Sequence, residues 1–379
     1  MQHLSAEDLD AIAAEFDAIH RQIRADLGDD DAAYIRRVIR IQRGLGAGGR
    51  ALLLLSRFPP AFAGGTLLLA VSKILDNMEI DHNIMHGQWD WIRDPKIQSS
   101  KWEWDAASTA KSWRHAHNYQ HHTYTNVVGK DRDLGYSILR MHADHPWHPV
   151  YLAQPIYAIA VAAWFEWGIA VYDLELDGVR LGTKQWSDAK PELVALGRKA
   201  CRQIGKDYVL FPLLAGRSAR KKTLLANVTA NVVRNVWVQT ITYCGHFPDD
   251  AETFTQEQFA NESRGGRYVR QLLGSCNLEG SPLFHLMTGH LSFQIEHHLF
   301  PALPSNRYPE IAPLVRAVCQ RYGLPYSSGR LGRQYLSAVK KIARFALPQG
   351  HLKGSHGGGI DYAMNAATTS GSKAISTTA

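Results

Sequence analysis

The chain has 379 residues, of which 45% are hydrophobic and 20% charged, with a formal net charge of +7. That length can bury a large core, and the basic balance suits an anionic membrane surface or a phosphate-bearing substrate. Nucleic acid ranks last, because no basic run is interleaved with aromatic residues.

Residues 5–27 predict a helix. Ser5 with Asp8 three residues on makes a capping-box start, and Leu9, Ile12, Phe16, Ile19 and Ile23 recur at helical spacing. This start is acidic and amphipathic, unlike a secretory signal. A second helix is expected from near Asp31, carrying Ile35, Val38 and Ile39 beside Arg36, Arg37, Arg40 and Arg43. Its role would be packing, or lying on an anionic membrane surface. Three stretches are candidate membrane spans: 58–72, 146–172 and 223–245, the last carrying Arg234. A bilayer needs about 20 apolar residues, and the mean hydropathy of −0.24 leaves room for a large polar part beside them. Residues 173–206 are polar and helical in flavour, and 307–322 predict another amphipathic helix. From 349 onward, GGG and AATTSGSKAISTTA have no apolar period and predict disorder. There is no internal repeat. The four cysteines, Cys201, Cys244, Cys276 and Cys319, lie far apart, which argues for a reducing compartment and against a disulfide framework or a zinc ribbon.

Ten of the 18 histidines fall in four places. In DHNIMHGQWDW, His82 and His86 are four apart, so one helical face presents both. In WRHAHNYQHHTYTN, His117 and His121 repeat that spacing, with His122 adjacent and His115 two before. His246 ends an apolar helix. In GHLSFQIEHHLFPALP, His290, Gln294 and His297 share a helical stripe, with His298 beside them. A lone histidine on an apolar face is most often a hydrogen-bonded core residue, and a single HxxxH pair still favours that reading. Four groups in one chain do not, because burying so many imidazoles without a common purpose is costly. The ligand number exceeds the four of a structural zinc site, so two ions with four or five imidazoles each are expected. The groups hold no thiolate, which disfavours iron–sulfur clusters and zinc fingers. Neutral nitrogen ligands suit redox chemistry with dioxygen, and iron is the first choice. Glu79, Asp81, Asp131, Asp133 and Glu296 are in range to orient the rings. The remaining histidines are read as surface or structural.

HNIMHG, HNYQHHTYTN and QIEHHLFPALPSNRY resemble the three histidine boxes of the membrane fatty acid desaturases. The likeness is closest to the bacterial acyl-CoA desaturases of the mycobacterial type, whose first box is also followed by a GQWDW-like stretch, and it covers residues 35–325. It implies an all-α membrane helical bundle with a cytosolic helical cap holding a histidine-ligated di-iron centre. An acyl chain would enter a kinked tunnel below the metals, in the cytoplasmic (inner) membrane with the site facing the cytosol. Dioxygen and two electrons would be consumed and a carbon–carbon double bond formed in a long-chain acyl-CoA or acyl-lipid.

Carried over by position, the metal ligands would be His82, His86, His117, His121, His122, His297 and His298, with His246 a further one. Gln294 stands where members with HxxHH have a histidine. Either His290 fills that vacancy or Gln294 holds a metal-bound water, and His115 would lie beside the ligands rather than among them. Arg264, Arg267 and Arg270 are candidates to meet coenzyme A phosphates, although a solvated basic face competes with that role. The chain has no HPGG haem motif or cysteine cluster, so a separate reductase or ferredoxin-like electron donor is expected. The implied organisation is an amphipathic segment over 1–34, a desaturase domain over 35–348 and a tail over 349–379. Two competing readings are a related membrane di-iron lipid or alkane hydroxylase and a histidine-rich metal transporter.

Overall fold

The computed structural model describes residues 3–348; the expected disorder of the tail, and His351 and His356, lie outside the described residues. The main helices are α1 (Ala6–Ala25), α2 (Asp29–Leu54), α3 (Pro59–Leu75), α4 (Gln154–Ala163), α5 (Phe165–Tyr172) and α6 (Trp186–Ile204). They continue as α7 (Gly216–His246), α8 (Arg264–Leu273), α9 (Gln294–Leu299), α10 (Tyr308–Arg321) and α11 (Leu331–Ala346). Two three-residue strands, β1 (Asn277–Glu279) and β2 (Ser328–Arg330), pair in parallel with Leu278 opposite Gly329. Helix dominates, as the sequence predicts.

Helices α1, α8, α9 and α10 form a cap. Ile12, Phe16, Ile19 and Ile23, the stripe read from the sequence, pack with Val269, Leu272, Ile295 and Ile311. The expected Ser5–Asp8 capping box is formed. Helix α2 runs unbroken past residues 34 and 35, and its first turn is tied to the cap by Asp31, which accepts from Arg307 at 2.7 and 2.8 Å.

Beneath the cap, α2 and α3 form an antiparallel hairpin against α7. The two backbones meet at Gly49 and Gly65: a Cβ on Gly65 would lie 2.8 Å from Leu53 and 3.1 Å from the Gly49 carbonyl. Ala226 and Ala230 of α7 close on the same spot with Leu53 and Leu69. Asp207, just past α6, is buried and accepts from Arg50 at 2.6 Å and Lys73 at 2.7 Å. That charged knot joins α2, α3 and the segment after α6.

The apolar run 146–172 is not one rod. The helical stretches 149–163 and 165–181 meet at 98°. Helix α7 stabilises the bend: Asn235 donates to the Ala163 carbonyl at 2.8 Å, and Arg234 ion-pairs with Glu166. Among the described residues no single helix is long and apolar enough to cross a membrane; this bent pair passes by length and composition only. Even so, Leu67, Ile156, Ile159, Leu213, Leu214, Leu225 and Val233 are all exposed. They make an apolar outer surface on α3, α4, α7 and residues 209–214.

Candidate metal centre

Of the first two groups, His82, His115, His117 and His121 do not sit on plain α-helix, while His86 and His122 lie just past the irregular turns. Residues Asp76–His82 and Arg114–His121 are π-helical. An i→i+5 ladder sets residues five apart over one another. His117 and His122, which an α-helix would turn away from each other, therefore face the same way as His121. His246 arrives at the last residue of α7, and His297 and His298 come from α9.

These segments bring their rings together in a buried cage. Ring nitrogens of His82, His86, His117 and His297 lie within 4.8 Å of one another, and so do those of His121, His246 and His298. His122 lies between the sets, stacked on His298 with centroids 4.4 Å apart and edge-on to His86 at 4.6 Å. Buried nitrogens normally find partners, yet Nε2 of His86, Nε2 of His117 and both ring nitrogens of His122 have none. Elsewhere Nε2 faces Nε2, at 3.3 Å for His82 and His297 and 3.0 Å for His246 and His298. Inward-facing lone pairs are a donor set for cations, and this one fits two.

Five of the rings are held by their outward nitrogens, which fixes their orientation. Nδ1 of His121 lies 3.0 Å from Asp131, that of His117 3.5 Å from Asp133, and that of His246 3.2 Å from the Gly274 carbonyl. Nδ1 of His298 meets Oε1 of Gln271 at 3.0 Å, and that of His297 meets the Tyr308 hydroxyl at 3.3 Å. Burial first, and then neighbouring imidazoles, hold His86, His122, His297 and His298 well below the usual range, so they present neutral rings. Burial lowers His121 too, but Asp131 and Asp133 outweigh it and bring it up to about 9. Burial would raise Asp133, yet His121 and His117 bring it down to about 2.

The backbone separates His290 from the rest of the third box. His290 has φ 55° and precedes α9, so it shares no helical stripe with Gln294 and His297. Its Nδ1 lies 2.9 Å from Glu79 and its ring touches Tyr34 and Phe293 rather than a cage histidine. Gln294 instead reaches the second set, its amide 2.9 Å from Nε2 of His246, while its Oε1 has no hydrogen-bond partner. His115 turns away, stacking on Tyr119 and lying 3.9 Å from Glu175 with a 55% exposed side chain. Of the carboxylates in range, Asp81 accepts from Trp102 and Glu296 from Asn277 and Tyr326.

Two cavities reach the cage. One meets His82, His117, His121 and His246 and is also lined by Trp104, Trp113, Phe165, Ile169, Val238 and the Glu166–Arg234 pair. The other meets His122 and His298 and is lined by Arg264, Arg267, Tyr268 and Gln271. The expectation that Arg270 meets substrate phosphates fails. Arg270 is buried, pairs with Glu262 at 2.7 Å, and donates to the Thr123 and Thr125 carbonyls at 3.0 and 3.1 Å, locking the end of the second box. Gln271 and Gly245 carried no sequence signal, although Gln271 also donates to the His122 carbonyl at 2.7 Å.

Comparison with known proteins places this geometry in context. The family model described as fatty acid desaturase matches residues 58–330. The NADPH-dependent stearoyl-CoA 9-desaturase of Mycobacterium tuberculosis is 46% identical over 354 residues, covering 93% of this chain and 83% of the relative. The sn-1 linoleoyl-lipid 6-desaturase of Synechocystis is 25% identical over 310 residues, 79% of this chain and 84% of the relative. Fatty acid desaturase 3 of Homo sapiens is 26% identical over 250 residues, 63% of this chain and 50% of the relative.

Proposed function

On the premise that the chain belongs to the fatty acid desaturase family, we propose that it is a di-iron acyl-CoA desaturase. It would introduce a double bond into a long-chain acyl-CoA with dioxygen and two electrons from an external donor. His82, His86, His117 and His297 would hold one ion. His121, His246 and His298 would hold the other, with Gln294 or a water it binds completing the set, and His122 stands between them. When bound, two irons supply the oxidation by dioxygen that an unactivated methylene requires.

The chain's own residues do the positioning. Asp131 and Asp133 orient His121 and His117, and Gln271 orients His298. Trp104, Trp113, Ile169 and Val238 line an apolar path leading directly to the cage; a single alkyl chain laid along it would present a methylene there with water excluded. The Glu166–Arg234 pair also lines this cavity, a polar patch that a methyl terminus has no reason to pass. The exposed leucines, isoleucines and valines of α3, α4 and α7 would meet lipid, with the cage on the cytosolic side of the inner membrane.

The observation that carries this reading is the set of buried, unpartnered nitrogens on His86, His117 and His122, within a cage that the apolar cavity meets at His82, His117, His121 and His246. The test is expression in a host of known lipid profile, with new double bonds sought by gas chromatography–mass spectrometry. His121→Ala should abolish them; an unchanged product would refute the assignment.

A further inference from the structure

The two cavities that reach the cage share no lining residue. The apolar one approaches from the side of His82, His117 and His246. The second arrives at His122 and His298, whose rings stack at 4.4 Å and 14°. Its outer wall is α8, which presents Arg264 and Arg267 to solvent. Arg264 pairs with Asp17 at 2.7 Å; Arg267 has no side-chain partner among the described residues. A basic wall above paired rings, themselves part of the metal cage, is an unusual use of surface for an enzyme whose substrate enters elsewhere. A coenzyme A thioester seated against Arg264 and Arg267 would have to thread its acyl chain through the cage itself to reach the apolar path.

We propose that this second opening is where the electron donor docks, and that the donor is a small acidic iron–sulfur protein of the ferredoxin type. The proposal rests on the desaturase reading, because it is that reaction which requires outside electrons. The donor's acidic rim would lie on Arg264 and Arg267, bringing its cluster above the His122–His298 stack. Electrons would enter through these rings while the acyl chain occupies the opposite side. For each double bond, two reduced donors each lose one electron. Those two electrons, two hydrogen atoms from the acyl chain and two protons reduce one dioxygen to two waters. Charge complementarity of this kind raises the association rate and makes it sensitive to salt.

The test uses the full chain in detergent micelles and, as probe, a plant-type [2Fe–2S] ferredoxin with its NADPH-dependent reductase. Ferredoxin binding is followed by biolayer interferometry on metal-loaded and metal-free protein. Turnover is driven either by ferredoxin or by reduced methyl viologen. Salt-sensitive binding is expected for the wild type and for Arg267→Lys, and about tenfold weaker binding for Arg267→Glu. Ferredoxin-driven turnover by Arg267→Glu should fall in parallel while viologen-driven turnover persists. Absent or salt-insensitive binding by the wild type would overturn the proposal, as would unaltered binding by Arg267→Glu. So would a raised KM for acyl-CoA with ferredoxin binding intact, which would make the wall a phosphate seat. Failure of viologen to drive any desaturation by the wild type would count against the desaturase reading instead, and the binding measurement would still decide the docking face.

Discussion

The side-chain amide of Gln294 lies 2.9 Å from Nε2 of His246, and Gly245 makes the room for it. A Cβ at Gly245 would stand 2.9 Å from Cδ and 3.0 Å from Cγ of Gln294. Gly245→Ala should therefore push Gln294 off the second set of nitrogens without touching any histidine. Its iron affinity, measured by competition with a chromophoric chelator, is expected to fall by about 10–100-fold, the usual effect of disturbing residues that support a metal site. Gln294→His supplies a nitrogen at the same place and should keep two irons per chain. If Gly245→Ala binds iron as tightly as the wild type, Gln294 has no part in the site.

Asp131 performs a different service. Its carboxylate faces Nδ1 of His121 with both oxygens, at 3.0 and 3.1 Å, and accepts the Asn126 amide at 2.7 Å. Asp131→Asn keeps the shape but removes the charge and one acceptor, so His121 loses the partner that fixes its ring. We expect kcat to drop by about 10–100-fold with KM for acyl-CoA nearly constant, read from initial rates over a range of substrate. A raised KM with unchanged kcat would instead place Asp131 in substrate binding.

The clustering of the cage histidines was legible because gripping a cation would restrict both residue type and spacing. His82, His86, His117, His121, His122, His246, His297 and His298 all face the cage. The π-turns that aim them were not legible, since no residue type marks an i→i+5 ladder. The helical stripe of His290, Gln294 and His297 does not form, because the chain turns through φ 55° at His290 before α9 begins. The run 146–172 reads as a straight span because Arg234 and Asn235, which hold its bend, come some 70 residues later. Arg270 looked like part of a basic face, yet its target is backbone carbonyls at the end of the second box, and carbonyls leave no trace in a sequence.

Asp31 gives a pH dependence with a definite sign. Burial would raise its pKa, but hydrogen bonds from Arg307 and Asn306 prevail and lower it from 3.8. A carboxyl depressed in the folded state stabilises that state above its unfolded pKa, and the benefit is lost as pH falls through the folded value. Asp31→Ala should cost about 1–3 kcal/mol at neutral pH, the range for losing a hydrogen-bonded, mostly buried partner. The gap in Tm between variant and wild type should then narrow as pH falls below 3.8. A gap that stays constant through that window would mean that the charge on Asp31 contributes nothing.

Asp207 tests whether the charged knot in the bundle is a source of stability or only a balanced cost. Its side chain is 1% exposed and faces Arg50 and Lys73, which are 15% and 9% exposed. Removing the carboxylate alone strands Arg50 and Lys73, while Lys206, 3.8 Å from Asp207, keeps Asp105 as a partner; breaking a buried pair in this way costs about 3–5 kcal/mol. Asp207→Leu should therefore unfold at markedly lower temperature or fail to accumulate. Replacing the partners as well, with Lys73→Met and Arg50→Met, removes every uncompensated charge, and an apolar substitute for a buried ion network is often neutral or stabilising. The triple variant should recover most of the lost Tm, measured in the same detergent. Recovery would mean that the knot adds little net stability and that its value is in fixing how residues 205–210 seat against α2 and α3. If the triple variant remains as unstable as Asp207→Leu, the charges themselves stabilise the bundle.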